Sequence, residues 1–375
     1  MRVALLVGLA GFLCLAAVLA WWWVRPNRAA VDPRLRLEHW AAVDDGTHNS
    51  NTDMIAWQGD LLLIHDARPY HLGTPESRLV VRRSADEGRS WSTLATLQVA
   101  GKDIRDPKLA VIDGTLFLYA LPNSSTMATP EGTVLAISED GIHWSDFEPV
   151  GPEGWLFWRP KSPDGGRTWY VAAYWHAHGA AILLRSTDGR AWEKVSIIHE
   201  GEGNDETAIE FLPDGRLIST VRLEVTPDAI LGNAEAGTAI LVAEPPYTHW
   251  EKVRVSNTRL DGPNLFDLDG QVYAVARWQP PPHGPFTRMA STLARKRTAL
   301  YRVEPERLVW LSDLPSSGDT SYAGVVRRGG HLFVDWYTSD IERDPPWILG
   351  MFQASDIHFA KIPIEAIHEL SRATP

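Results

Sequence analysis

Four short segments of the chain are near copies of one another: Ser84-Ala-Asp-Glu-Gly-Arg-Ser-Trp91, Ser138-Glu-Asp-Gly-Ile-His-Trp144, Ser162-Pro-Asp-Gly-Gly-Arg-Thr-Trp169 and Ser186-Thr-Asp-Gly-Arg-Ala-Trp192. In each, Ser stands two residues before Asp, and Gly and Trp follow in that order. The order suits a tight turn. Asp accepts hydrogen bonds from amides of its own loop, Gly takes a backbone angle that a β-carbon resists, and Trp buries a large ring beneath the turn. A supersecondary unit repeated along a chain implies a propeller or a solenoid.

Between these turns the chain runs in short apolar stretches. Asp60–Ile64, Arg78–Arg82, Leu109–Tyr119 and Arg216–Arg222 are examples, and Asp-Gly pairs at Asp113, Asp214 and Asp269 each join two of them. Short strands at regular spacing with Asp-Gly turns predict hairpins in an all-β fold. The only stretch with helical period in the body is Pro363–Arg372. The interval of about fifty residues between Ser84, Ser138 and Ser186 fits one four-stranded blade, and the body then divides into about six blades. The Ser162 copy is off that period and is expected to be a chance match or to lie on another hairpin within a blade. A weaker relic, Ala243–Trp250, falls where a further blade would carry its turn.

The N-terminus stands apart. No charge interrupts Val3–Val24, three Trp close the run at Trp21–Trp23, and Arg25 and Arg28 follow. Such a run predicts a helix long enough for a bilayer of about 30 Å, residues 1–30 being a membrane anchor and 31–375 one propeller domain. A signal peptide cut before Trp21 is the competing reading. Net charge is −11, which excludes a nucleic-acid partner, since phosphate binding needs a concentrated basic surface. Cys14 is the only cysteine, so the body has no disulfide and no thiolate site. No cofactor and no metal are expected. His176-Ala-His178, read as a strand, puts two imidazoles on one face without a visible third ligand.

The four turns resemble the Asp boxes of the sialidase superfamily, whose fold is a six-bladed β-propeller. A second stretch, Glu206-Thr-Ala-Ile-Glu-Phe-Leu-Pro-Asp-Gly-Arg-Leu-Ile-Ser-Thr-Val-Arg222, is similar to the sialidase segment in which a Glu begins one strand and an Arg ends the next. The resemblance implies that Glu206 is the base for a tyrosine nucleophile and that Arg222 grips a substrate carboxylate. Asp319-Thr-Ser-Tyr322 resembles the segment that holds the tyrosine, and Asp269–Arg277 ends a strand with another arginine. The chemistry is coherent. A phenol with a pKa near 10 is a poor nucleophile until a carboxylate takes its proton, and guanidinium forks suit a planar carboxylate. Tyrosine-nucleophile sialidases depart from the two-carboxylate rule of glycosidases.

The chain also departs from the family. Where the first-blade Arg-Ile-Pro segment is expected, it reads His48-Asn-Ser-Asn-Thr-Asp-Met54, and the loop between Arg68 and Ser84 holds His71 and Glu76 but no Asp. The expected catalytic set is therefore Tyr322, Glu206 and His71, with His71 or Glu76 protonating the leaving group. The expected substrate-binding set is Arg68, Arg105, Arg222, Arg277, Asp53 and His48. The implied partner is an acidic glycan. The expected activity is a sialidase-like glycoside hydrolase. The alternatives are a polysaccharide lyase, in which a His or Tyr removes a proton beside an arginine-bound uronate, and a non-catalytic glycan-binding propeller.

Overall fold

The computed structural model describes residues 2–127, 129–225, 230–256, 258–281 and 287–375, without the side chains of 2–10, Trp22 and Arg254. Its body is six four-stranded antiparallel sheets arranged as the blades of a propeller. The innermost strands are His48–Trp57, Asp103–Ile112, Trp155–Phe157, Thr207–Phe211, Asp261–Leu268 and Thr320–Arg328. The last blade is closed by the first strand of the chain: Glu38–Val43 pairs with Asp356–Pro363 as its outermost member. The other five blades are each built from four strands consecutive in sequence.

Packing explains the apolar runs. Blades cover each other on both faces, so Leu61, Leu62, Leu63 and Ile64 are all buried and the sequence shows a continuous run instead of alternation. The Asp-Gly pairs at Asp113 and Asp269 close hairpins with both residues at positive φ, the backbone that a two-residue hairpin needs. Pro363–Arg372, read as helical, becomes the helix Ile364–Ala373.

All four Ser-x-Asp turns have one geometry. Each Asp Oδ1 lies within hydrogen-bond reach of its Ser hydroxyl, at 2.8 to 3.2 Å, and accepts from amides of its own loop. Each Trp Nε1–H donates to the carbonyl of its Gly at 2.9 to 3.0 Å. The turns at Asp86, Asp140 and Asp188 join the third and fourth strands of successive blades. The Ser162 turn makes the same bonds but joins the first and second strands, Trp155–Phe157 and Trp169–Trp175, so it is a genuine copy used in another hairpin.

A second repeated device lies on the inner strands. Four of the six carry a one-residue β-bulge against the second strand, at Ser50/Asp53, Arg105/Lys108, Asp261/Asn264 and Ser321/Gly324. In each bulge one residue takes a left-handed backbone: Asn51 (φ 42°), Asp106 (φ 51°), Gly262 (φ 58°) and Tyr322 (φ 52°). A bulge bends its strand and re-aims a side chain, and three of these four are not glycine, which marks them as held by their surroundings.

Asp335 sits opposite the last bulge, accepts the Gly324 amide through Oδ1, and leaves Oδ2 buried without a partner. Burial, with Asp53 adding repulsion, pushes its carboxyl up to about 7. An acid with a raised pKa favours the folded state when protonated, so the fold loses stability as pH rises from about 4 toward 7. Asp335→Asn keeps the Gly324 bond and cannot ionise. Thermal melts between pH 5 and 8 are expected to fall less steeply for this variant than for the wild type. Equal slopes would show that Asp335 does not titrate there.

The expected anchor segment forms a helix, Arg2–Val24. Among the described residues no helix is long and apolar enough to cross a membrane, so the expected transmembrane span and membrane partner find no support in the structure. The end of the helix is instead tied to the body. Trp23 Nε1 donates to the Leu293 carbonyl at 2.8 Å, and the Arg295 guanidinium caps the Trp23 carbonyl at 2.9 Å.

Candidate active site

Antiparallel pairing brings the starts of the inner strands and the ends of the second strands to one mouth of the propeller. Glu206 precedes the inner strand Thr207–Phe211, Arg222 closes the strand paired with it, and Asp261 faces Arg277 in direct register. With Tyr322 on its bulge, Arg105 and His71, the side chains of Glu206, Arg222 and Arg277 line a cleft of about 280 Å³, and Asp261 is buried beside them.

At its centre the Tyr322 hydroxyl donates a short hydrogen bond to Glu206 Oε1. The other carboxylate oxygen, Oε2, accepts the Gly262 amide at 2.6 Å and lies 2.8 Å from Arg222 Nη1. Burial raises the Glu206 pKa above the usual carboxylate value, and Arg222 works against it. Burial, then the Glu206 charge, raises the Tyr322 phenol well above 10. Beneath the pair, Trp158 stacks edge-on to Tyr322 at 6.2 Å and bonds the Pro263 carbonyl, filling the axis of the propeller.

Gly262 fixes where that phenol lies. A Cβ on Gly262 would stand 2.7 Å from the Tyr322 ring, and its φ of +58° disfavours any side chain. Gly262→Ala is expected to push the ring off Glu206 and, for any turnover that this cleft supports, to lower kcat by about 10²-fold, the scale on which a misplacement of about 1 Å acts. Circular dichroism would check that the fold survives; unchanged kcat would mean that the ring position does not matter.

The arginines arrive already paired. Asp261 bridges three of them: Oδ1 meets Arg259 Nε at 2.6 Å and Arg222 Nη1 at 3.3 Å, and Oδ2 meets Arg277 Nε at 3.1 Å. Arg222 is also held bidentately by Asp205, with Nε to Oδ1 at 2.6 Å. Arg105 is held by Asp103 at 2.6 Å. Burial opposes ionisation of Glu224, but the His178 hydrogen bond and the Arg222 and Arg259 charges hold it down at about 2.

Of the residues expected from sequence, the cleft gathers Tyr322, Glu206, His71, Arg105, Arg222 and Arg277. Three others serve elsewhere. Asp53 is buried, accepting the Leu109 amide at 2.7 Å and pairing with Arg159 at 3.0 Å, so it braces blades and does not line the cleft. Arg68 is 2% exposed and locked by Ser50 and Asp66 behind the cleft. His48 is 1% exposed and lies behind His71. Glu76 opens onto a separate recess with His48 and Arg68 and does not line the cleft. His176 and His178 fall in a turn after Trp169–Trp175 and not in a strand; only His178 reaches the cleft.

Sequence reasoning missed Asp205, Glu224, Arg259, Asp261 and Trp347. Trp347 is supplied by the short helix Trp347–Gly350, which inserts after the second strand of the last blade. Its ring packs against the Arg277 guanidinium at 4.6 Å. The available signal was positional: an acid stands at the start of several inner strands (Asp103, Asp205, Asp261, Asp319).

No family model matches the sequence, and no curated protein matches it by sequence. Solved structures do match the fold. A Trypanosoma rangeli sialidase mutant displaying trans-sialidase activity aligns with a TM-score of 0.65 at 13% identity, covering 92% of this chain and 61% of its own. The T. rangeli sialidase in complex with sialic acid gives 0.62 at 14% identity, with 91% and 61% covered. The NanB sialidase of Streptococcus pneumoniae gives 0.59 at 13%, with 86% and 70% covered. The chain therefore spans about three fifths of the length of the trypanosomal enzymes. By its architecture it is a sialidase-like six-bladed β-propeller.

Proposed function

We propose that this propeller is a retaining glycoside hydrolase in which Tyr322 is the nucleophile and Glu206 its base. One observation carries the reading: a buried tyrosine hydroxyl donates to a buried carboxylate at the floor of a polar cleft, in the fold that sialidases share. Glu206 takes the phenol proton as Tyr322 Oη bonds to the anomeric carbon, and the bond from that carbon to the leaving oxygen breaks. The leaving oxygen takes its proton from His71, or departs unaided when the aglycone is a good leaving group. Water then bonds to the anomeric carbon and gives a proton to His71, while the bond to Tyr322 Oη breaks and the departing phenolate takes its proton back from Glu206.

His71 is suited to its part by position. Its Nδ1 bonds Asp319 at 2.6 Å, which orients the ring and leaves Nε2 for the cleft. Burial lowers the His71 pKa, and Asp319 opposes that effect. An acidic sugar remains the expected substrate class, read from the arginines at the mouth; their pairing with Asp205 and Asp261 requires the substrate to share them.

Screening the full chain against aryl sialosides, uronides and neutral glycosides tests the proposal. Release of the aglycone from a sialoside or uronide supports it in full. Turnover of neutral glycosides alone would overturn the acidic-sugar part. A product with a new ultraviolet-absorbing double bond would replace hydrolysis by lyase chemistry, with His71 as the base. We infer a working place on the non-cytoplasmic side of a membrane from this carbohydrate chemistry. Fractionation of the native protein tests it: cytosolic recovery overturns that placement, and a chain beginning at Trp21 identifies a cleaved leader.

A further inference from the structure

Behind the cleft, three side chains from three parts of the fold converge. His48 opens the first inner strand, His71 lies in the loop after Asp60–Arg68, and Asp319 precedes the last inner strand. His48 Nε2, His71 Nδ1 and Asp319 Oδ2 all lie within 4.8 Å of one another.

The protons at this junction do not balance. His48 Nδ1 lies 2.7 Å from the Gln353 carbonyl, which can only accept, so Nδ1 carries the proton and Nε2 of the neutral ring a lone pair. That Nε2 is buried, has no hydrogen-bond partner, and points at Asp319 Oδ2 from 3.3 Å. The same oxygen is engaged by His71 Nδ1 at 2.6 Å. With His48 neutral, two lone pairs thus face each other in a buried site, an arrangement that costs free energy unless a proton or a metal ion lies between them.

We propose that His48, His71 and Asp319 bind a first-row divalent cation, zinc by preference, through Nε2, Nδ1 and Oδ2. Two imidazoles and one carboxylate with a fourth position open are a usual donor set for zinc that keeps an exchangeable ligand. Ligands at about 2.0–2.1 Å around a tetrahedral ion stand about 3.3 Å apart. The His48–Asp319 separation already has that value, and the His71–Asp319 pair has to open by about 0.7 Å, within one rotamer adjustment.

The surroundings match what orients metal ligands. The Gln353 carbonyl fixes the His48 tautomer, and Asp319 Oδ1 accepts from Trp347 Nε1 at 2.9 Å and from the Tyr337 hydroxyl at 3.0 Å. Of the cations nearby, Arg105 is matched by Asp103 and Arg68 by Asp66, while Arg277 is shared between Asp261 and Asp319 Oδ1, the latter at 3.5 Å. An ion on His71 Nδ1 would also leave the proton of that ring on Nε2, facing the cleft.

The test uses full-length protein purified without a polyhistidine tag. After exposure to zinc and dialysis, elemental analysis is expected to find one equivalent per chain, and cobalt in its place is expected to show the visible absorption of a tetrahedral site. His48→Ala and Asp319→Asn should each weaken zinc binding by at least about 100-fold in calorimetric titration. His178→Ala, in the separate group with Asp205 and Glu224, should leave the stoichiometry unchanged. Wild-type protein that retains no zinc and gives no titration heat would overturn the proposal, without recourse to any variant. So would zinc lost from His178→Ala but kept by His48→Ala. None of these readouts depends on hydrolase activity.

Discussion

Tyr322→Phe is expected to lower kcat by about 10³-fold or more while leaving binding of the substrate largely intact, because in the proposed mechanism the hydroxyl forms the covalent bond and contributes little to ground-state affinity. The ring would stay in place, since Trp158, Gly262 and Arg277 pack around it whether or not the oxygen is present. The measurement is turnover of the best glycoside found by screening, with KM followed alongside. Mass spectrometry of protein treated with a 2,3-difluoro sugar supplies an independent check, the reagent class that gave the covalent intermediate in the T. rangeli sialidase. The wild type should gain one sugar on the peptide containing Tyr322 and the variant none. A fully active Tyr322→Phe would remove the nucleophile from the scheme, whatever the substrate.

The largest effect on stability is expected at Asp261. It is 3% exposed and compensates Arg222, Arg259 and Arg277 together, so Asp261→Ala leaves three buried guanidinium groups short of a partner. Breaking a buried ion pair from one side costs about 3–5 kcal/mol. The loss depends on pH with a definite sign. Burial by itself would raise the Asp261 pKa, but Arg259, Arg277 and Arg222 outweigh it and hold the carboxyl well below the usual range. A depressed carboxyl stabilises the fold above about pH 4, its unfolded value, and that contribution is lost as pH falls below it. Wild type and variant should therefore differ most near pH 7, and the gap between them should narrow as pH falls below about 4. Urea melts at pH 7 and pH 3 would show this, and equal midpoints at pH 7 would refute the account.

The propeller was legible because its signals are local. A Ser-x-Asp turn closes within a few residues, and a Trp that bonds the Gly of its own turn needs no distant partner, so the repeats announce the blades directly. Glu206, Arg222, Arg277 and Tyr322 were legible for a related reason: they sit where strands begin or end, and the closed ring brings all such ends together. Asp205 and Asp261 were not, because a carboxylate that neutralises arginines from other strands has no local mark. The roles of Asp53 and Arg68 were misread on the same ground. Both stand near strand ends, yet side-chain direction turns one toward Arg159 and the other behind the wall, and that direction is set by bulges that add one residue without changing the apolar pattern.

The four bulges have an implication for how such a mouth acquires its chemistry. Each adds one residue whose backbone is excused from the ladder, while the hydrogen bonds on either side of it continue in register. Asn51, Asp106, Gly262 and Tyr322 thus occupy a ring of sockets, wired to the frame but not needed to hold it. An amide, a carboxylate, a bare backbone and a phenol already share that ring. Exchange of Asn51, Asp106 or Tyr322 alters the reagent offered to a ligand without resetting any strand, whereas the Gly262 socket stays bare because a Cβ there meets the Tyr322 ring.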